Sequence, residues 1–167
     1  MRISVYLFTI ALVCLACSKD GEKGGERVEI YLTKSFMTVP GKCQVDPLLS
    51  VIADTPFIKN QDILAYSKSS YNLKLADTAV QKIKLLRDFT PFAVAVDGHV
   101  IYYGICKPWI SSSSCDHSIT LNTIFAPGNE FTFNLGYPWS STNTAIDDQR
   151  NNSRLIATFI KQGKLRL

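Results

Sequence analysis

Cys115-Asp116-His117 is the closest grouping of nucleophile, acid and base in the chain. A thiol with an imidazole suggests a thiol protease or a metal protein. The spacing opposes the first reading: on an extended strand residues i and i+2 share a face but stand about 7 Å apart, whereas proton transfer needs roughly 3 Å. For zinc, the further donors would be Cys43 and Cys106, and no close Cys-x-x-Cys or His-x-x-x-His pair accompanies them. Asp147-Asp148 and Asp97 could supply a carboxylate pair for glycoside chemistry, yet acids near a helix start or a turn are expected without it. His99, beside Asp97-Gly98, reads as a surface strand residue. The chain has no Gly-x-Ser-x-Gly, P-loop or dinucleotide fingerprint. No catalytic residue, metal or cofactor is therefore expected.

The remaining chemistry is that of binding and cross-linking. Trp109 follows Lys107-Pro108 and precedes Ile110 and four serines, and Trp139 sits in Tyr137-Pro138-Trp139-Ser140-Ser141. Aromatics in polar loops can anchor a protein, peptide or glycan, so Trp109, Tyr137 and Trp139 are the candidate binding residues; the plainer alternative is that they cap the edge of the core. Cys43 and Cys115 lie in polar, turn-like settings, whereas Cys106 extends an apolar run. These settings predict a Cys43–Cys115 disulfide and a buried Cys106. A loop of that length stabilises the fold by about 4 kcal/mol in the chain-entropy treatment.

The N-terminus states an address. Arg2 precedes an apolar stretch from Val5 to Ala16, then come Cys17 and the polar run Ser18-Lys19-Asp20-Gly21-Glu22-Lys23-Gly24-Gly25. The stretch falls short of the roughly 20 apolar residues that span a bilayer. With Ala16 before Cys17, it resembles a bacterial lipoprotein signal, although Cys14 stands where such signals usually have Leu. The resemblance implies removal of residues 1–16 and acylation of Cys17. More than one acyl chain on Cys17 would hold a protein stably at a membrane. Ser18 in second place fits outer-membrane lipoproteins of Gram-negative cells. Either face of that membrane is open, and residues 17–26 then form a lipidated tether.

The elements that must position the candidate residues follow from the pattern over 27–167, read as one domain. Val28, Ile30 and Leu32 alternate with Glu29, Tyr31 and Thr33 as a half-buried strand. Leu48 to Ala53 is an apolar run suited to a second, and Asp62 caps a helical turn over Ile63 to Tyr66. Tyr71 to Leu75 alternates again. Asp77 caps a helix to about Arg87, burying Ala79, Ile83 and Leu86. Phe92–Val96 and His99–Tyr103 flank Asp97-Gly98, a dipeptide suited to a type I′ hairpin. With a plain two-residue turn, Phe92, Val94, Val96, Ile101 and Tyr103 share one face and Ala93, Ala95, Val100 and Tyr102 the other, which places the hairpin centrally. Strands at Ser118–Leu121 and Glu130–Leu135 follow. A last helix over 153–162 buries Leu155, Ile156, Phe159 and Ile160 before Gly163. The predicted fold is α+β: an antiparallel-rich sheet with a central Asp97-Gly98 hairpin and two packed helices.

Val28-Glu29-Ile30-Tyr31-Leu32, Thr90-Pro91-Phe92-Ala93-Val94, Leu135-Gly136-Tyr137-Pro138 and Asp147-Asp148-Gln149-Arg150-Asn151 make the chain similar to small uncharacterised lipoproteins of Gram-negative bacteria. That likeness carries no activity. Pro56-Phe57-Ile58, Asp62-Ile63 and Ala93 to Val100 resemble the periplasmic domain of the SecD translocase subunit, which implies an α+β fold and nothing about export. Asp77-Thr78-Ala79 resembles an O-glycosylation motif of some lipoproteins, a place the helix cap explains equally well. The chain has 18 Lys+Arg against 14 Asp+Glu, with 19% of residues charged and 46% hydrophobic. That balance fits a folded core and excludes a nucleic-acid-binding tail. The reading is an envelope lipoprotein, held to the membrane by the acyl anchor on Cys17, that serves as a binding or accessory module for an unknown envelope protein. Alternatives are an enzyme or metal protein using Cys115, Asp116 and His117, and a glycan-binding lipoprotein.

Overall fold

A computed structural model describes residues 25–124, 127–139 and 145–167. Cys17, the signal stretch and most of the expected tether lie outside the described residues. Glu26 is held against the last helix: its carbonyl accepts from Gln162 Nε2 at 2.6 Å and its carboxylate pairs with Lys161 at 2.9 Å.

The strands are β1 (Val28–Ser35), β2 (Val51–Ile52), β3 (Ile63–Ser67), β4 (Asn72–Leu75), β5 (Pro91–Val96), β6 (His99–Cys106), β7 (Cys115–Leu121), β8 (Glu130–Tyr137) and β9 (Leu165–Arg166). They form one sheet in the order β2-β1-β5-β6-β7-β8-β4-β3-β9. With α1 (Asp77–Lys84) and α2 (Ser153–Lys161) the fold is α+β. The sheet, expected to be antiparallel-rich, is mixed: β6 runs parallel to β7 and β3 parallel to β9, while the other neighbours are antiparallel. Both edge strands are two residues long, which leaves little unpaired backbone for another chain to extend.

The main core lies between one face of the sheet and the helices, and includes Ile30, Phe92, Val94, Phe133, Leu155 and Phe159. A smaller core on the other face groups Val45, Ile105 and Cys115 with Tyr103 and Tyr137. The β5–β6 turn has Asp97 at φ 50° and Gly98 at φ 73°, and Val96 pairs with His99. The expected register does not continue. A bulge between Val94 and Ala95 skips Ile101, so that Val94 pairs with Tyr102 and Ala93 with Tyr103. One extra residue on one strand exchanges the faces of everything beyond it. Tyr102 thus joins Phe92 and Val94 in the main core, and Tyr103 turns to the smaller one. Opposite Phe92 stands Gly104, where a Cβ would collide with the Phe92 ring and lie 2.8 Å from the Ile119 carbonyl oxygen.

Several other expectations shift for local reasons. Ile63–Tyr66 is strand rather than helical turn: Ile63 and Ala65 are buried, Leu64 is exposed, and β4 and β9 supply its partners. The run at 48–53 yields only the two-residue β2, with Leu48 and Leu49 exposed. Ala76, not Asp77, is the N-cap of α1, and the Asp77 carboxylate accepts from Asn129 instead. In α2 Asn152 caps through its side chain, which accepts from the Arg154 N–H at 3.0 Å. Leu155, Thr158 and Phe159 are inside while Ile160 is 60% exposed, since it falls beyond the apolar face that Leu155 and Phe159 define at 100° per residue. Among the described residues no helix is long and apolar enough to cross a membrane.

Candidate functional site

The candidate site forms where β6 crosses to β7. These parallel neighbours pair only at their ends, Gly104–Cys106 against Ile119–Leu121, and the connection between the strands is the short stretch 107–114. So short a crossover carries no helix and must be fastened residue by residue. The Lys107 N–H bonds the Leu121 carbonyl at 2.8 Å, and its side chain is fully buried. The ammonium donates to Ser111 Oγ at 2.7 Å and Ser113 Oγ at 3.0 Å, pairs with Asp88 at 3.0 Å, and lies 3.9 Å from the Phe89 ring centroid. A buried cation persists only when its donors are satisfied and its charge is countered. Here serines, carboxylate and ring do both, and the loop is wrapped around the cation. Burial alone would raise the Asp88 carboxyl, but hydrogen bonds from Ser111 and Lys107, the Lys107 charge and the Phe89 N–H hold it below its ordinary value.

That frame presents Trp109. Its backbone N–H donates to Asn122 Oδ1 at 3.3 Å, and the Tyr137 hydroxyl shares its one proton between the carbonyls of Trp109 at 2.6 Å and Ser111 at 3.0 Å. Tyr137 ends β8, so the same strand carries Trp139 to the loop. The rings of Trp109 and Trp139 meet edge to face with centroids 4.6 Å apart, and Tyr137 and Trp139 stand 6.2 Å apart. Both indoles stay open to solvent, Trp109 at 56% and Trp139 at 42%. The three candidate binding residues, proposed from two separate segments, make one cluster.

The pair walls two recesses. One, of about 240 Å³, is lined by Trp109, Tyr137, Pro138 and Trp139. The other, of about 290 Å³, runs over the open face of β4 and β8, where Asn72, Glu130, Thr132 and Asn134 point away from the main core, and Asn122 closes one side. Thr132 Oγ1 donates to Asn72 Oδ1 at 2.6 Å, and Arg166 pairs with Glu130 at 3.1 Å. Compared with models of known families, with curated proteins and with solved structures, the chain matches none.

Residues considered for catalysis are otherwise engaged. Cys115 is bonded to Cys43, with Cα atoms 5.0 Å apart, so its sulfur is no thiolate nucleophile. The bridge also ties the segment before β2 to the start of β7, within the smaller core that Tyr137 covers. Asp116 and His117 remain paired through Oδ1 and Nδ1 at 2.7 Å, and the hydrogen bond from His117 holds the Asp116 carboxyl below its ordinary value. His117 lines a recess of about 360 Å³ with Tyr103, Gln44 and Asp147, but the adjacent hydroxyl of Ser118 is committed to the Cys43 carbonyl at 2.8 Å. Asp148 grips Arg150 through Nε and Nη2, each at 2.8 Å, while Asp147 accepts from Gln149 and Asp97 from the Arg27 N–H, so the acids serve structure separately. His99 is exposed. Cys106 is a buried free thiol, pushed up to about 12 by burial and, to a smaller degree, by Asp88. No group of three or more His, Cys, Asp or Glu is placed to hold a metal among the described residues.

Sequence reasoning did not single out Lys107, Asp88 or the polar face of β4 and β8. The alternation of Glu130, Thr132 and Asn134 with Phe131, Phe133 and Leu135 was the available signal for that face.

Proposed function

We propose that this protein is a binding module of the bacterial envelope, anchored through an acylated Cys17, with Trp109, Tyr137 and Trp139 as its contact surface. The observation that carries the reading is the Trp109–Trp139 pair. Two loops distant in sequence deliver exposed indoles to one place, on a frame pinned by a buried cation, a disulfide and the Tyr137 hydroxyl. Exposed aromatics cost solubility without return unless something covers them, and rigid Trp and Tyr side chains dominate binding surfaces. The placement agrees. Val28, where the chain joins the sheet, pairs with Val96 at the Asp97-Gly98 end, whereas Trp109 follows the opposite end of β6. Eight residues of strand put about 26 Å between these ends.

The test is in vivo cross-linking and affinity capture with the native protein, a Cys17→Ala form and a Trp109→Ala/Trp139→Ala form. A discrete envelope protein recovered with the native form and lost with both others is the expected result. Truncating two central aromatics should weaken binding by roughly 30-fold or more. Recovery unaffected by the tryptophan substitutions would remove the surface from the reading.

A further inference from the structure

We infer that the trough between the Trp109–Trp139 pair and the open face of β4 and β8 binds a neutral saccharide; the inference rests on the reading of that pair as a contact surface and adds a ligand for the trough beside it. The trough has one aromatic wall and a polar floor, the two surfaces a sugar ring presents in reverse: an apolar C–H face to stack on an indole, and hydroxyls at its edge. The floor supplies both donors and acceptors at fixed positions, from the amides of Asn72, Asn122 and Asn134 and the hydroxyl of Thr132. Their mutual bonds order the floor before any ligand arrives. Thr132 donates to Asn72, Asn72 Nδ2 reaches Glu130 Oε2 at 3.4 Å, and Asn134 Nδ2 reaches the Thr132 carbonyl at 3.3 Å. Asn122 Oδ1 accepts from the N–H groups of Trp109 and Ile124, which fixes the orientation of its amide.

Charge and topology narrow the ligand. Among the described residues no Lys or Arg lines the trough, and the one carboxylate there, Glu130, is paired with Arg166. Nothing there would select a phosphate, a nucleic acid or an anionic lipid headgroup. An extended peptide would need an open strand edge, but β8 lies between β7 and β4, and β4 between β8 and β3. A volume of about 290 Å³ stands at the small end of small-molecule sites, which run roughly 300–1,000 Å³.

The two tryptophans of the chain are both in this cluster, so indole emission reports on it alone. The experiment titrates the purified protein with N-acetylchitotriose, cellotriose and maltotriose to about 10 mM, enough to fill most of a site of roughly millimolar Kd. Emission and the two indole N–H resonances are followed. A saturable change with at least one sugar is expected, weakened at least tenfold by Asn134→Ala or Thr132→Ala, with emission of the unliganded variants unaltered as the sign of an intact cluster. No response to any of the three sugars, or a response that both variants retain in full, overturns the saccharide assignment. Capture of an envelope protein that depends on Trp109 and Trp139, with all sugars silent, overturns the assignment and leaves the binding surface standing. Silence in both experiments removes both.

Discussion

The buried Lys107 should make the two halves of its ion pair unequal. Replacing Asp88 with Asn leaves an ammonium with no exposed surface and no counter-charge. Removing one partner of a fully buried pair costs roughly 3–5 kcal/mol. The Asp88 side chain is 35% exposed, so water already screens part of the attraction, and the expectation falls to about 2–3 kcal/mol. Replacing Lys107 with Met is different. The apolar chain fits among Phe89 and Tyr137, and Asp88 keeps the Ser111 hydroxyl at 2.6 Å, the Phe89 N–H at 2.9 Å and access to water. That change should cost only about 0–1 kcal/mol. The double variant should resemble Lys107→Met, giving a coupling of about 2 kcal/mol. Urea unfolding followed by far-ultraviolet circular dichroism measures all three. Tryptophan emission, read in parallel, should change in Asp88→Asn, because the unpaired cation loosens the loop that carries Trp109. If Asp88→Asn costs no more than Lys107→Met, the crossover is not organised by a neutralised buried cation. The pH dependence has a definite sign. Asp88 is held below its ordinary value, so its contribution is complete above the unfolded carboxyl pKa of about 3.9 and disappears as pH falls through the lower folded value. Acid sensitivity in that window should be reduced in the Lys107→Met protein.

Other perturbations test other parts of the frame. Removing the Cys43–Cys115 bridge with paired alanines should cost about 4 kcal/mol for a sequence separation of 72, read as a lower urea midpoint in the variant and in the reduced native protein. Gly104→Ala drives a methyl into the Phe92 ring and the Ile119 carbonyl, and a loss of roughly 1–3 kcal/mol in thermal or urea unfolding is expected. Tyr102→Phe deletes a buried hydroxyl with no hydrogen-bond partner among the described residues, so stability should stay level or rise by up to about 1 kcal/mol, and a large loss would reveal a hidden partner. Arg150→Lys should cost about 1–3 kcal/mol, because an ammonium cannot reproduce the fork on Asp148, the bond to the Phe133 carbonyl at 2.9 Å and the stack on Tyr71 together.

What could be read from residues alone was whatever local chemistry decides. Asp97-Gly98 announces its turn because few dipeptides tolerate positive φ twice, and α2 announces itself through its apolar spacing and Gly163, whose φ is 66°. The Cys43–Cys115 bridge was legible from two polar contexts beside one apolar one. The parts that escaped are those that distant contacts decide. Nothing in Val94 or Ile101 declares a bulge, yet it sets Phe92 opposite Gly104 and turns Tyr103 to the smaller core that Tyr137 also covers. Ile63–Tyr66 carries a helical start signal that pairing to β4 and β9 overrides. Lys107 is the clearest case. A lysine before Pro-Trp in a serine-rich stretch reads as solvated, and only the shortness of the β6–β7 crossover forces it inward, where its charge gathers Asp88, Ser111 and Ser113 around it. The same constraint explains why Trp109 and Trp139 meet. The crossover must pass over the end of β8, Tyr137 must fasten it there, and the residue two beyond Tyr137 is then brought against the loop. A binding surface assembled this way has no motif in any single segment, which is why residue types could nominate its members but only the packing could join them.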